Sequence, residues 1–307
     1  MLKQSVLILF LSTAFAVQAA PGYEPMTNPV GSESWWWDDA WWDRGTIDTP
    51  ANLPTRAERI EYDSDTVQVP ALVVRPDDDQ AYPAVLYQHG RRGLDEFVQR
   101  QVTRIAARGF VVLAPDVYSA HFIEKFPIEH DYATELDVAN GVDVLLARDD
   151  VSTSRACLVS HTRGGYMALK AATTHGRQAD AVACFVSWYP HLQDPNAPEP
   201  LQVYRYAREV DDLRIPVLVF IGDQEQYQRR RSIETAIQSL DDAGRPVRLI
   251  VYPGVGRGFD FRPPNVRTFA DDLASKDAVQ RAASFIDRHL RPFEKRLEPS
   301  SGEAEAK

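Results

Sequence analysis

The stretch that most constrains this chain is Leu158-Val159-Ser160-His161-Thr162-Arg163-Gly164-Gly165. An apolar strand, Ala156 to Val159, enters a sharp turn, and a helical stretch from Gly165 to Thr174 leaves it. The turn has the pattern small-x-nucleophile-x-small, in which small flanking residues let a strand-to-helix elbow close tightly. The central position, where Ser or Cys would serve as nucleophile, holds Thr162.

Around this elbow, short apolar runs alternate with amphipathic ones. Arg59 to Tyr62 and Val67 to Val74 read as an antiparallel strand pair. Strands then follow at Pro83 to Gln88, Phe110 to Ala114, Ala181 to Ser187, Val217 to Ile221 and Val247 to Val251. Helices are expected at Glu96 to Arg108, Ala133 to Ala147, Ser232 to Ala243 and Asp277 to Leu290, and residues 189–214 read as loop-rich. Strands that are apolar throughout, separated by helices, predict a doubly wound, mostly parallel α/β sheet covered on both faces. In such a sheet the ligand sits beyond the carboxyl ends of the strands. The loops after Gln88, Ser160, Ile221 and Val251 are therefore where chemistry is expected.

The formal charge of −10 over 307 residues argues against a nucleic-acid partner, which would present a basic stripe. Residues 1–19 read as a secretory signal: Lys3 is the basic start, Val6 to Val17 the apolar run, and Val17-Gln18-Ala19 the cleavage site. That run is short for a membrane span, and the mature protein is expected to be soluble and periplasmic or secreted. Residues 20–55 form a segment of their own with five tryptophans between Trp35 and Trp42, expected to fold back as an apolar strap; a binding surface for a protein partner, membrane or sugar is the alternative. The main domain is expected over residues 56–291, followed by a charged, disordered tail over residues 292–307. Cys157 and Cys184 both fall in core strands and are expected to be free, buried thiols, although an exported chain could join them.

Five pieces in order carry a family resemblance. They are Pro83-Ala84-Val85-Leu86 with His89-Gly90, the run Ala107 to Asp116, the elbow, Pro216 to Gly222, and Tyr252-Pro253-Gly254-Val255-Gly256-Arg257-Gly258-Phe259-Asp260. Together they resemble the dienelactone hydrolase family of α/β-hydrolases over roughly residues 57–290. The resemblance implies the α/β-hydrolase fold and a triad of Ser or Cys, Asp and His that cleaves small esters or lactones. It puts the nucleophile at Thr162, the acid at Glu225 and the histidine at Arg257. It also implies arginines that hold a substrate carboxylate, with His89, Gly90, Arg91, Arg163 and Gly164 at the oxyanion and anion-binding loops.

All three triad positions depart from that pattern. A triad base must take the nucleophile's proton and return it to the leaving group. Arg257 has no acceptor lone pair and stays protonated at working pH. Thr162 is an internal threonine without the amine that usually activates such nucleophiles. Glu225 and Arg257 are instead expected to face each other as a two-toothed ion pair. The expected function is thus a non-catalytic binding or accessory protein for a small carboxylate. The alternatives are an unusual ester or lactone hydrolase with Glu225 as base, and an interaction protein using the tryptophan segment.

The remaining candidates carry less chemistry. Arg92 could line the cleft with Arg91, Arg163 and Arg257. His161 is expected to pack away from the cleft, Ser160 to face into the turn, and Asp116 to anchor a loop. His121, His130, His175, His191 and His289 are expected in loops or on helix surfaces, with no metal-ligand spacing. There is no phosphate-binding loop, dinucleotide fingerprint or zinc motif, so neither metal nor cofactor is expected.

Overall fold

The computed structural model describes residues 52–295 together with the two-residue strand Tyr23–Glu24. The signal-like residues 1–19, the tryptophans Trp35 to Trp42 and the tail beyond residue 295 lie outside the described residues. Among the described residues no helix is long and apolar enough to cross a membrane.

Nine strands form one sheet: β1 Tyr23–Glu24, β2 Thr55–Ser64, β3 Val67–Pro76, β4 Tyr82–Gln88, β5 Val111–Pro115, β6 Val151–His161, β7 Val182–Trp188, β8 Val217–Gln224 and β9 Val247–Gly256. Their spatial order is β1-β9-β8-β7-β6-β4-β5-β3-β2. All neighbours run parallel except at the β2 end, where β2 pairs antiparallel with β3 and β3 with β5. Every residue of β7 is buried, as expected for a strand covered on both faces. The helices are α1 Glu96–Ala106, α2 Val117–Ala120, α3 Thr134–Leu146, α4 Gly164–Ala172, α5 Glu199–Tyr204, α6 Tyr227–Asp242 and α7 Phe269–Leu290. This is the expected doubly wound α/β-hydrolase arrangement.

Several expected boundaries move. Helix α7 begins at Phe269 rather than Asp277 because Thr268 and Asp271 form a capping box, each side chain accepting from the other's backbone N–H. The loop-rich stretch holds α5 and a 3₁₀ turn at Arg208–Asp212. Residues 292–295 do not start a tail. Glu294 bridges Thr153, and the Lys295 N–H donates to the Ser152 carbonyl at 2.7 Å.

The expectation of free thiols is wrong. Cys157 on β6 and Cys184 on β7 are registered directly opposite each other, and their Cα atoms lie 4.7 Å apart in a disulfide. That separation is within the range a bridge can span, and the pairing depends on cross-strand register, which a sequence alone does not give.

The register also aligns the chemistry. Gln88 pairs with Ser160, Ser160 with Ser187, His161 with Trp188, and Gln224 with Gly256. The loops following β4, β6, β7, β8 and β9 therefore open at one edge of the sheet.

Candidate active site

Thr162 sits at the turn between β6 and α4 with φ of 51°, a left-handed conformation that β-branched residues tolerate poorly. Its N–H donates to the Trp188 carbonyl at 3.2 Å, and its carbonyl accepts from the Gly165 and His191 N–H groups at 3.0 and 2.7 Å. The turn closes only because its surroundings are small. A Cβ added at Gly90 would stand 1.8 Å from Thr162 Oγ1, and one at Gly164 would stand 2.4 Å from the Gln88 carbonyl oxygen. In the first turn of α4 the Gly165 and Tyr166 N–H groups already donate to the Thr162 and Arg163 carbonyls, each at 3.0 Å.

Opposite the elbow, Glu225 follows β8 and Arg257 follows β9. Arg257 Nη1 lies 3.2 Å from Glu225 Oε2, with the carboxylate side chain fully buried. The other carboxylate oxygen accepts from the Gln226 N–H at 2.9 Å. The expected two-toothed pair is instead an ion contact through Nη1 alone, and neither Nη1 nor Nη2 of Arg257 has a hydrogen-bond partner among the described residues. The Arg257 guanidinium also lies 5.2 Å from the centre of the Tyr189 ring, a cation–π contact.

His161, beside Thr162, is turned away from the cleft and fully engaged. Its Nδ1 pairs with the Tyr87 hydroxyl at 2.7 Å and its Nε2 with Asp260 at 2.7 Å, while its ring stacks on Trp188. The Tyr189 hydroxyl donates to the other oxygen of Asp260. With both ring nitrogens engaged, His161 has no lone pair left for the Thr162 hydroxyl. Among the described residues that hydroxyl has no side-chain hydrogen-bond partner.

Two of the expected cleft arginines do different work. Arg91 donates to the Pro127 and Phe126 carbonyls at 2.8 and 2.7 Å, and Arg163 to the Glu129 and Ile128 carbonyls at 2.7 and 2.8 Å. They fasten the loop between α2 and α3 to the elbow edge. Arg92 pairs with Asp95 at 2.7 Å and stacks on Phe97. Their guanidinium groups, expected to face a ligand, are thus committed to carbonyls and a carboxylate.

His121, His130, His175 and His191 lie in loops and turns, and His289 on α7, as expected. His130 is buried and bonds Glu135 at 3.0 Å, and His121 bonds Asp137 at 2.6 Å. His89 packs its ring edge against Tyr118, and its Nδ1 meets the Gly90 carbonyl at 2.8 Å. Ser160 reaches Ser187 on the neighbouring strand at 2.7 Å, and Asp116 caps α2 through the Ser119 N–H. No cluster of potential metal ligands occurs among the described residues.

The residues that sequence reasoning missed are His191 and Arg229. His191 is only 5% exposed, and its Nδ1 has no partner. Burial, and then Arg257, Arg229, Arg163 and Arg91, hold its pKa well below the usual 6.5, so the ring is neutral. Arg229, on the first turn of α6, is pushed down to about 10 by burial and by the same neighbouring cations. One end of its guanidinium, Nη1, is buried without a partner. The available sequence signal for His191 was its place after a core strand, in Tyr189-Pro190-His191. Arg229 gave no such signal, because Arg229-Arg230-Arg231 reads as a solvated helix start.

The cleft is therefore a strained elbow facing a positively charged wall with a single carboxylate, Glu225, bound into it. The dienelactone hydrolase family profile matches residues 69–290. A candidate carboxymethylenebutenolidase of Yersinia pestis is 27% identical over 242 residues, covering 72% of this chain and 84% of that protein. A candidate carboxymethylenebutenolidase of Methylorubrum extorquens is 24% identical, covering 82% of this chain and 85% of its own length. Among solved structures, a candidate dienelactone hydrolase from Klebsiella pneumoniae superposes with a TM-score of 0.61 at 22% identity, covering 76% of this chain and 99% of that one. A bacterial brefeldin A esterase superposes with a TM-score of 0.60 at 17% identity, covering 82% of each chain.

Proposed function

The chain belongs to the dienelactone hydrolase family, and from that premise we propose that its elbow cleft binds a small carboxylate-bearing molecule without hydrolysing it by a nucleophile–base route. One observation carries the reading: the loop position facing the elbow holds Arg257, 3.2 Å from the buried Glu225, where a proton-accepting imidazole would be required. A guanidinium offers donors only, and Glu225 is bound to it rather than to the Thr162 hydroxyl. The same exchange favours anion binding. Arg229 and Arg257 add two cations against one carboxylate, in a partly desolvated setting where charge-assisted hydrogen bonds are strong.

Calorimetric titration of the full chain with succinate tests the binding half. Saturable binding that weakens as salt rises is expected, and Arg229→Gln is expected to weaken it by about tenfold, the loss of one charged hydrogen bond. No binding at millimolar succinate, or unchanged binding in the variant, would contradict the proposal.

A second reading, residual ester or lactone hydrolysis at Thr162, is favoured by the intact elbow with its left-handed Thr162 backbone. We also assign the mature chain to an oxidising compartment outside the cytoplasm. The signal-like residues 1–19 support this, and so does the Cys157–Cys184 bridge, since such bridges persist in oxidising surroundings.

A further inference from the structure

A second cavity, of about 400 Å³, opens between the loop after β7, α5 and the flank of α4. It shares no lining residue with the Thr162, His191, Glu225 and Arg257 set. Its size is that of a small-molecule site. Tyr132 and Tyr206 present rings to it, and both rings are held by their hydroxyls: Tyr132 donates to Asp194 at 2.9 Å, and Tyr206 bonds Ser239 at 2.8 Å. Leu201 and Ala197 complete the apolar side.

Two donors in the lining lack partners, and one of them is a buried nitrogen. Gln193 is 1% exposed; its Oε1 accepts from Ser232 at 3.1 Å, and its amide nitrogen has no partner. Tyr166 is 2% exposed, and its hydroxyl has no hydrogen-bond partner among the described residues. A buried donor left unsatisfied is costly, so a ligand acceptor that meets both would be bound with a clear advantage.

The charge around these donors selects the acceptor. Burial and the carboxylates of Asp194, Glu135 and Glu209 raise the Tyr166 pKa strongly, so the phenol stays protonated and the local potential is negative. Lys170, the cation nearest the ring, is neutralised by Glu209 at 2.9 Å. Arg205 and Arg208 also line the cavity and stand exposed at its rim, Arg208 with its side chain 92% exposed. At the Tyr166 hydroxyl, inside the exposed arginine rim, an anionic ligand would meet the combined field of Asp194, Glu135 and Glu209, whereas a neutral carbonyl would meet two donors.

We propose that this cavity is a binding site for a neutral aromatic compound bearing a carbonyl acceptor, its ring against Tyr132 and Tyr206 and its oxygen on Tyr166 and Gln193. The test compares benzamide with benzoate, which share shape and differ in charge, by titration of the full chain followed by NMR. Benzamide is expected to saturate below about 1 mM and benzoate to bind at least tenfold more weakly. Tyr166→Phe removes one oxygen and is expected to weaken benzamide about fivefold. Ala197→Phe, at a half-buried position, is expected to abolish binding by filling the cavity. Arg229→Gln, which weakens succinate in the elbow cleft, is expected to leave the affinity for benzamide as it is in the unmodified chain. The site is refuted if benzoate binds as well as benzamide, if Ala197→Phe binds like the unmodified chain, or if Arg229→Gln is the variant that loses the ligand. Failure of succinate to bind the elbow cleft would leave this test unaffected.

Discussion

At the scale of single residues, the cleft is governed by which groups can hold a proton. Arg257 stabilises a fully buried carboxylate, so Arg257→Ala would strand Glu225 as an uncompensated charge. The expected loss is about 3 kcal/mol, read as a lowered denaturant midpoint, and Glu225→Gln in the same chain should recover most of it. A midpoint that moves by less than 0.5 kcal/mol (roughly the noise of surface changes) would mean that the pair carries no load. His191 sets a pH dependence of the opposite kind. The folded chain holds it neutral well below its usual 6.5, while the unfolded chain takes up a proton there. Its contribution is therefore intact above pH 6.5 and is lost as pH falls below that value, by up to about 1.4 kcal/mol per pH unit. His191→Gln is expected to flatten the stability profile between pH 7 and pH 5. An unchanged slope would assign that dependence to His89, His175 and His289, whose pKa values are also lowered by burial. The Glu225–Arg257 pairing was readable in the sequence because each residue ends a recognisable strand. His191 and Arg229 were not, because their roles depend on where a loop and a helix start are carried in space.

At the scale of elements, the parallel strands were legible because burial on both faces writes an uninterrupted apolar run. The register between them was not legible, and the disulfide followed from it. Cys157 and Cys184 are separated by 27 residues and are directly opposed on β6 and β7. Closing a loop of that length is worth about 3.5 kcal/mol on the chain-entropy account. The double variant Cys157→Ala, Cys184→Ala is expected to lose about that much in equilibrium unfolding, with the sheet intact by circular dichroism. Stability equal to the unmodified chain would show that the bridge contributes nothing. The start of α7 was missed for a related reason. Phe269-Ala270-Asp271-Asp272 reads as a polar loop until Thr268 is seen capping it, and the later helical period hides the first two turns. The fastening of Phe126 to Glu129 by Arg91 and Arg163 was equally hidden, since an arginine bonded to carbonyls looks the same in a sequence as one awaiting an anion.

At the scale of the whole molecule, the fold has kept the machinery that shapes a hydrolase cleft while the proton-transfer groups differ from those the family pattern implies. The elbow, the small residues that let it close and the aligned strand ends are all present; His161 is turned to Asp260 beside the elbow rather than toward Thr162. Under the proposed function this cleft holds an anion and does not turn over esters through Thr162. The most direct measurement is the steady-state hydrolysis of 4-nitrophenyl acetate and dihydrocoumarin by the full chain, side by side with Thr162→Ala. Equal, background-level rates are expected for the two proteins on both substrates. A rate in the unmodified chain a hundredfold or more above that of Thr162→Ala, the scale at which positioned acid–base catalysis is felt, would contradict the proposed function.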